Sequence, residues 1–310
     1  MTEPDPTLRE RFRGTLLGVA SGDALGAPAE YLTPDQVAER WGVLSEMVGG
    51  GVHDVAPGET TDATGMMLCL AESLAASGSF VPQDVAARYL AWFQSNPKDV
   101  SLTIRTVMLG IKAGTSVDLA ARRAYEILGS PTSGNSSLMR CAPVALRFFA
   151  EPERRRDAPL RESTLTHFDP LAGWACAAFD ELLVAAMSDR LREQVPVIAA
   201  AFGEEDVHVA KALLGALDAE PEEIHSSAFV LDSLQTAVWA VLRTHSFEDA
   251  VCTTVNLGDD ADTNGAVTGA LAGAAYGAQA IPVRWTAALL GRERIIAVAD
   301  RLAALAGVAT

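Results

Sequence analysis

Residues 13–26 read RGTLLGVASGDALG and residues 264–277 read NGAVTGALAGAAYG, so each stretch carries a glycine at every fourth position. In an α-helix this spacing places the glycines along one slowly drifting stripe. Each helical glycine costs up to about 1 kcal/mol relative to alanine, so something must offset that cost. We favour close approach of two helices for residues 264–277. The alternative is that backbone comes near a ligand, particularly where Gly22 and Gly26 bracket Asp23. We expect the end of the first series, Gly22 to Gly26, to form a loop.

The composition of the chain is that of a core-forming helical protein. Of its 310 residues, 49% are hydrophobic and only 6% aromatic. A core of small and aliphatic side chains favours close-packed helices over sheets. We therefore predict an all-α fold in one compact domain spanning residues 1–310. The predicted helices are 64–76, 84–94, 171–187, 228–242 and a C-terminal pair within 283–306.

The charge of the chain excludes several kinds of partner. It has 24 Lys+Arg and 40 Asp+Glu, a formal net charge of −16. Because this charge repels polyanions and no basic cluster is interleaved with aromatics, we expect no nucleic-acid-binding surface. The arginine-rich run 153–162 is predicted to be a solvated loop. Residues 263–283 carry no charge, but their glycine and polar content favours a buried helix, and no membrane partner is expected.

The cysteines and the N-terminus favour a cytoplasmic protein. Cys69, Cys141, Cys176 and Cys252 lie far apart without metal-ligand spacing, so we interpret them as reduced core residues. The N-terminal residues lack the basic and apolar regions of a signal peptide.

Two Asp/Thr clusters stand at the start of predicted helices. Residues 60–64 read TTDAT, and residues 259–264 read DDADTN. Capping of the free helix N–H groups would account for one such side chain in each cluster. Three aspartates within four residues repel one another, and a bound divalent cation would relieve that repulsion. Hard oxygen ligands without His or Cys favour Mg²⁺ or Mn²⁺, so the clusters predict a metal site, with capping as the alternative.

Two further segments are weaker candidates for a binding site. Residues 133–140 read SGNSSLMR, a polar turn that opens an apolar helix and whose N–H groups could bind a phosphate. A turn of this composition is more often structural. His167 precedes an Asp-Pro helix start, although a lone histidine is more often structural or exposed than functional.

Taken in order, these segments resemble the ADP-ribosylglycohydrolase family, particularly the bacterial branch typified by dinitrogenase reductase-activating glycohydrolase. Several ordered motifs are more specific than any one of them, and they run through nearly the whole chain. The matching segments are 13–30, Thr61 with Asp62, 99–101, 134–143, His167 with Asp169, 229–234 and 258–277.

The resemblance implies a compact, all-α orthogonal helical array with a cleft for ADP-ribose and a centre of two divalent cations, Mg²⁺ or Mn²⁺. Members of this family cleave the glycosidic bond that joins ADP-ribose to a protein side chain. The implied activity is therefore removal of mono-ADP-ribose from modified protein, with arginine as the favoured acceptor and serine open. The oligomeric state is left open.

Carried over by motif position, the resemblance implies roles for twelve residues. Asp99 is the proposed proton-transfer carboxylate, with Glu30 beside it near the reacting ribose, and Asp62 and Asp260 complete the catalytic set. Phe229 would pack against the adenosine end. The implied metal ligands are Thr61, Asp62, Asp260, Asp262 and Thr263, and the implied phosphate and ribose contacts are Asn135, Ser136, Ser137 and His167.

The chain departs from the family pattern at Ala63. Relatives usually read Thr-Asp-Asp-Thr where this chain reads Thr61-Asp62-Ala63-Thr64, so one carboxylate is missing and the site is expected to be impaired. Ala63 is either a natural variant or an introduced Asp→Ala substitution, and the intact pattern around it favours the second. A smaller departure is Asp259, where many relatives have glycine.

Two other functions stay open at this point. A non-catalytic ADP-ribose-binding homologue with a decayed metal site would also explain Ala63. Hydrolysis of ADP-ribose attached to a small molecule or to a nucleic-acid end is a third possibility.

Overall fold

The computed structural model describes residues 6–129 and 133–308, and its secondary structure there is helical. These residues form sixteen α-helices and four short 3-10 helices, with two isolated β-bridges in place of a sheet. The all-α prediction is therefore confirmed. The α-helices are α1 Leu8–Gly26, α2 Pro34–Trp41, α3 Asp62–Ser77, α4 Pro82–Gln94, α5 Leu102–Lys112, α6 Val117–Leu128, α7 Ala142–Arg147, α8 Pro152–Ser163, α9 Pro170–Met187, α10 Leu191–Gly203, α11 Val207–Asp218, α12 Val230–Arg243, α13 Phe247–Val255, α14 Ala261–Tyr276, α15 Val283–Ala288 and α16 Arg292–Leu305. The 3-10 helices are Ala27–Ala29, Asn135–Arg140, Pro221–Glu223 and Ala278–Ala280.

The two glycine stripes pack against each other and join α1 to α14 at the centre of the fold. A Cβ atom at Gly18 would collide with the carbonyl group of Gly269, and one at Gly22 would collide with that of Gly265. Gly14 likewise contacts Gly273. Residue numbers therefore rise along α1 as they fall along α14, so the two helices are antiparallel. The packing explanation is thus the one that the structure supports.

The loop predicted for Gly22 to Gly26 is wrong, because α1 continues through Gly26. Gly26 faces the backbone of Ala261 at the start of α14, with no room for a side chain. This tertiary contact offsets the low helix propensity of glycine. It also places the C-terminal end of α1 beside the N-terminal end of α14, where the second Asp/Thr cluster begins.

The arginine-rich run 153–162 is a helix rather than the predicted loop, since it lies within α8. One side of α8 is buried. Arg155 donates to Glu181 of α9 at 2.8 Å and also to the backbone carbonyl groups of Phe148 and Phe149. Internal partners of this kind allow charged side chains to line a packed helix.

One helix of the described ranges, α9, is long and apolar enough to cross a membrane. Its mean hydropathy is 1.3, and 72% of its residues are buried inside the fold. Such burial is typical of a core helix. The uncharged stretch singled out in the sequence, residues 263–283, contains most of α14, which is buried against α1.

Candidate active site at the first turns of α3 and α14

The structure brings the two Asp/Thr clusters together. Thr61 immediately precedes α3, and its hydroxyl group donates to Asp262 of α14 at 3.0 Å. Asp62, Asp260 and Asp262 are all buried at this junction. The backbone N–H of Thr263 donates to the Asp262 carboxylate at 2.7 Å, while its hydroxyl group lies 3.8 Å from the sulfur of Met139. Clusters far apart in sequence thus form one site.

Capping of their own helices does not account for these clusters. Neither Thr61 before α3 nor Asp260 before α14 makes a side-chain capping bond to its helix. The N-terminal end of α3 is instead satisfied by Asp23 of α1, which accepts from the N–H groups of Thr61 and Thr64 at 2.9 and 3.0 Å. The same carboxylate accepts from both threonine hydroxyl groups. The sequence analysis noted Asp23 between Gly22 and Gly26 but assigned it no role at the site.

The site concentrates negative charge, and it has His53 beside Glu30 as a basic neighbour. In the described parts of the chain, no Lys or Arg forms an ion pair with these carboxylates, all of which are at least nine-tenths buried. Burying an anion without a partner is costly, so each must hold a proton or bind a cation. The five carboxylates are Asp23, Glu30, Asp62, Asp260 and Asp262.

The pKa values of these groups are raised for that reason. Burial, with the nearby Asp262, raises the pKa of Asp23 to about 7. Burial, with Asp262 and Asp99, raises the pKa of Glu30 to about 9. Burial also raises the pKa of Asp62, Asp260 and Asp262, and each of them has another carboxylate as a neighbour.

The donor set fits a divalent cation of the Mg²⁺ or Mn²⁺ type. Oxygen atoms from Glu30, Asp260 and Asp262 lie within 4.8 Å of one another. The Glu30 carboxylate also lies 2.5 Å from His53 Nε2, through its Oε2 atom. Oxygen-only groups of this kind suit hard cations.

The polar turn lies directly against the acidic site. Asn135 opens the 3-10 helix Asn135–Arg140 and donates to Asp260 at 2.6 Å and to Ser233 at 2.8 Å. Its backbone N–H donates to Ala228, and Val230 donates back to Ser133, both at 3.0 Å. These bonds fix the turn to the segment before α12.

Two predicted contact residues lie on opposite sides of that turn. The hydroxyl group of Ser136 lies 3.3 Å from that of Ser101, which follows Asp99. The side chain of Ser137 is fully buried, where Ser163 donates to its hydroxyl group at 3.0 Å. A direct contact between a ligand and the Ser137 hydroxyl group would therefore require a rearrangement. Ser136 instead lies beside Ser101, two residues after Asp99.

His167 and Phe229 lie beside the same turn. His167 is 1% exposed, and its Nδ1 is 2.8 Å from the Thr166 hydroxyl group. Its Nε2 has no hydrogen-bond partner and faces Gly134, whose added Cβ would lie 3.5 Å from it. Burial and the nearby Arg140 lower the pKa of His167 to about 3, so the ring is neutral. Phe229 is 40% exposed and pairs through its backbone with Gly134.

His53 is a residue that the sequence analysis missed. Its Nε2 lies 2.5 Å from Glu30 Oε2 and 3.7 Å from Asp99 Oδ1. The loop that carries it begins with Gly49, Gly50 and Gly51, all at positive φ, and Gly51 lies against the backbone of Ala27. The run of three glycines before His53 is the only sequence signal that this loop makes a close approach.

Strained backbone joins the loop that carries Glu30 to the loop that carries Asp260. Tyr31 and Asp259 adopt left-handed conformations, with φ of 62° and 54°. The Tyr31 N–H donates to Asp259 at 2.7 Å, and the Asp259 N–H donates to Leu32 at 2.8 Å. The positive φ explains why glycine suits position 259. The side chain of Asp259 is exposed, so its charge lies outside the buried group.

A sequence profile of the ADP-ribosylglycohydrolase family matches residues 4–309. The chain belongs to this family. It is 34% identical to the ADP-ribosyl-[dinitrogen reductase] glycohydrolase of Rhodospirillum rubrum, over 98% of this chain and 99% of that protein. It is 31% identical to the ADP-ribosylarginine hydrolase Tri1 of Serratia proteamaculans, over 96% of this chain and 80% of the relative.

A solved structure shows the same fold. The chain named as an ADP-ribosylglycohydrolase-related protein complex superposes with a TM-score of 0.79 at 33% identity, covering 96% of this chain and 99% of that one. Membership of the family makes this ADP-ribosylglycohydrolase an enzyme that hydrolyses glycosidic bonds.

Proposed function

We propose that this ADP-ribosylglycohydrolase removes mono-ADP-ribose from modified arginine side chains of proteins in a metal-dependent reaction. The observation that carries the proposal is the group of five buried carboxylates, in the described residues without Lys or Arg partners, where α1, α3 and α14 meet. The preference for arginine rests on the relatives, because the Serratia protein is an ADP-ribosylarginine hydrolase by name. Serine-linked ADP-ribose is the alternative substrate for the test.

The proposed cofactors are two divalent cations, Mg²⁺ or Mn²⁺. When bound, they supply the positive charge that polarises ribose hydroxyl groups and acidifies a water molecule. The ligands we propose are Thr61, Asp62, Asp260, Asp262 and Thr263, with Glu30 in reach of Asp260 and Asp262.

The remaining residues of the site would bind and orient ADP-ribose. The turn that begins at Asn135 offers backbone N–H groups, which suit a diphosphate without adding net positive charge. His167 offers an unpartnered Nε2 beneath that turn. Phe229, exposed at the edge of the same turn, offers an apolar face for the adenine ring.

Proton transfer is assigned to Asp99. Its side chain is 18% exposed, so it lies at the mouth of the site while Glu30 lies inside it. A carboxylate at this edge can exchange protons with water and with the leaving nitrogen of the acceptor. The fully buried carboxylates are in a poorer position to do so.

The test of this function is to add the missing carboxylate with Ala63→Asp. Ala63 is fully buried in the first turn of α3, next to Asp62. We expect the substitution to strengthen Mn²⁺ binding and to increase ADP-ribose release, because a cation site gains a charged ligand. Release is measured from arginine-linked and serine-linked substrates, with Mn²⁺ and with EDTA.

The matched control is Ala76→Asp, which adds the same charge at an exposed position of the same helix. It should change neither Mn²⁺ affinity nor release. If the Ala63→Asp protein binds metal yet releases nothing from any ADP-ribosylated substrate, the hydrolase proposal fails. Calorimetric binding of ADP-ribose without turnover in that variant would favour the non-catalytic reader instead.

A further inference from the structure

A buried chain of polar contacts leads from the interior of the fold to His167 beside the polar turn. Arg140, the last residue of that turn, is fully buried and donates through Nε to Glu162 at 2.8 Å. Its guanidinium group also lies over the ring of Tyr89, 4.8 Å from the ring centre. These two contacts direct Nη2 of Arg140 to the hydroxyl group of Thr166, to which it donates at 2.8 Å. Neither Arg140 nor Thr166 has a role in the function proposed above.

The Thr166 hydroxyl group connects this chain to the imidazole of His167. Its oxygen lies 2.8 Å from His167 Nδ1. In the described parts of the chain, the oxygen has Arg140 and His167 as its hydrogen-bond partners. Thr166 and His167 are no more than 1% exposed. Water therefore cannot satisfy these groups, and they must satisfy one another.

The donors and acceptors of the three groups determine where the imidazole carries its proton. An arginine only donates, so the Thr166 oxygen accepts from Arg140. A hydroxyl group has one hydrogen, and the acceptor that it contacts is His167 Nδ1. If Nδ1 carried the proton, the hydroxyl hydrogen would be buried without a partner, which is costly. Nδ1 is therefore the acceptor, and the proton of the neutral ring lies on Nε2.

The resulting Nε2–H group of His167 has no acceptor among the described residues. Nε2 is buried, and an added Cβ at Gly134 would lie 3.5 Å from it. Burial and the positive charge of Arg140 lower the pKa of His167 to about 3, so the ring holds a single proton. A buried donor without an acceptor needs an explanation. An oxygen atom of a ligand bound beside Gly134 would provide the acceptor.

We propose that Arg140 and Thr166 are positioning residues, which fix the proton of His167 on Nε2 so that this nitrogen donates to an oxygen atom of bound ADP-ribose. The proposal rests on the proposed function for the identity of the ligand. The opposite tautomer would present a lone pair to a diphosphate, whose oxygen atoms are acceptors. A donor that is fixed before binding also loses little conformational freedom when the ligand arrives.

The position of the proton is measured directly on the full chain. In a long-range ¹H–¹⁵N spectrum of the five histidines, protonated and unprotonated ring nitrogens resonate in separate ranges. The resonances of His167 are assigned by their loss in His167→Asn. We expect a protonated Nε2 and an unprotonated Nδ1, and a shift of the Nε2 resonance when ADP-ribose binds. A proton on Nδ1, or an Nε2 resonance that saturating ADP-ribose leaves unchanged, overturns the proposal.

Two variants of Thr166 test the hydroxyl group. Thr166→Val keeps the shape of the side chain and removes the hydroxyl group, whereas Thr166→Ser keeps it. By calorimetry with Mn²⁺ present, we expect Thr166→Val to weaken ADP-ribose binding by about tenfold, because a fixed hydrogen bond to a charged group is lost. Thr166→Ser should bind as the parent does. Thr164→Val, the same exchange at an exposed position, is the matched control and should also bind as the parent does.

A double-mutant cycle separates positioning from a general structural role. If Thr166 acts through His167, Thr166→Val should cause no further loss of ADP-ribose affinity in a His167→Leu protein. A further loss of similar size there overturns the proposal, as does an unchanged affinity of Thr166→Val or an equal loss in Thr166→Ser. If Thr166→Val fails to fold, the histidine spectrum of the parent decides the question.

Separate measurement of ADP-ribose release with Mn²⁺, on the parent and on Ala63→Asp, distinguishes this proposal from the proposed function. Release by a protein whose His167 carries its proton on Nδ1 overturns only the positioning role. Proteins that carry the proton on Nε2 and bind ADP-ribose, but release none from either linkage, overturn only the proposed function. Absence of ADP-ribose binding by both proteins overturns both proposals.

Discussion

Buried charged residues of this enzyme are of two kinds, and their partners distinguish them. Arg140 and Glu162 are both fully buried and form an ion pair at 2.8 Å, with Tyr89 donating to the same carboxylate at 2.7 Å. That group is internally balanced. Within residues 6–129 and 133–308, the carboxylates where α1, α3 and α14 meet accept from hydroxyl, amide and backbone donors and form no ion pair with Lys or Arg. Asp180 of α9 is also buried without a hydrogen-bond partner among the described residues, so what marks the candidate site is the clustering of five buried carboxylates.

The burial of His167 predicts that the free energy of unfolding depends on pH. The unfolded chain protonates this residue below about pH 6.5, whereas burial lowers the folded pKa to about 3. Unfolding therefore takes up a proton between these values, and the free energy of unfolding falls as the pH falls through that window. Substitution His167→Asn removes this dependence. The stability advantage of the parent over the variant should shrink by about 2 kcal/mol between pH 7 and pH 5.

Chemical unfolding at several pH values measures that difference. The control is His208→Asn, which makes the same exchange at an exposed position. If the difference in free energy of unfolding between the parent and His167→Asn does not change with pH, His167 has the same pKa in the folded and unfolded states.

At the level of helices, the contact between α1 and α14 determines where the site forms. Because the stripes pair glycine with glycine, the two backbones approach without intervening side chains. Asp23 near the end of α1 then reaches the first turn of α3, while Asp260 and Asp262 begin α14. Three helix ends meet at one point as a result. The glycine stripes thus have a structural role, and the helix contact that they make brings the residues of the candidate site together.

Two glycine substitutions test this contact with opposite expected results. A Cβ at Gly18 collides with the backbone of Gly269, which has no flexible end to move aside. We expect Gly18→Ala to lower the free energy of unfolding by about 3 kcal/mol. Gly110, within α5, has open space, with the nearest atom 3.7 Å from an added Cβ. Gly110→Ala should raise stability by about 0.5–1 kcal/mol.

Urea unfolding of both variants measures these changes. If Gly18→Ala is as stable as the parent, the two helices can separate at little cost, and the role assigned to the stripe is wrong.

Over the whole molecule, the net charge of −16 has an uneven distribution. Arg9 and Arg13 both donate to Asp300, which joins α1 to α16, and the carboxylate pKa is held well below its usual range by these hydrogen bonds. Pairs of this kind balance much of the surface. The site between α1, α3 and α14 keeps its excess, since solvent ions screen buried charges much less than surface charges.

Divalent cations should therefore stabilise the folded state as a whole. At a free Mn²⁺ concentration of 100 times its dissociation constant, we expect a gain of about 2.7 kcal/mol in the free energy of unfolding. Thermal unfolding with Mn²⁺, and again after addition of EDTA, measures the gain and its reversal. Sodium chloride at equal ionic strength is the control. If both salts shift the transition equally, the effect is screening, and the buried carboxylates hold no cation.

Prediction from sequence succeeded where the signal is local. The helices around 64–76, 84–94, 171–187 and 228–242 follow from apolar spacing, and the structure has helices over all four segments. It failed for residues 153–162, because the partners that make this charged run a packed helix, such as Glu181, lie on α9. It failed for Gly22 to Gly26 for the same reason, since the contact that keeps this segment helical comes from α14.

The residue types of the site, hard oxygen donors at two helix starts, can be read from the amino-acid order. That the two helix starts meet at one site cannot be predicted from the amino-acid order. Asp23 lies in the first glycine series and His53 follows three glycines, but neither pattern predicts a ligand role, and both residues reach the site because α1 packs on α14 and the loop of Gly51 packs on Ala27. Spacing along a helix or strand is a property of neighbouring residues, whereas a shared site depends on long-range packing. The helices and donor chemistry are thus local consequences of the chain, and the charge-dense site is a consequence of its tertiary contacts.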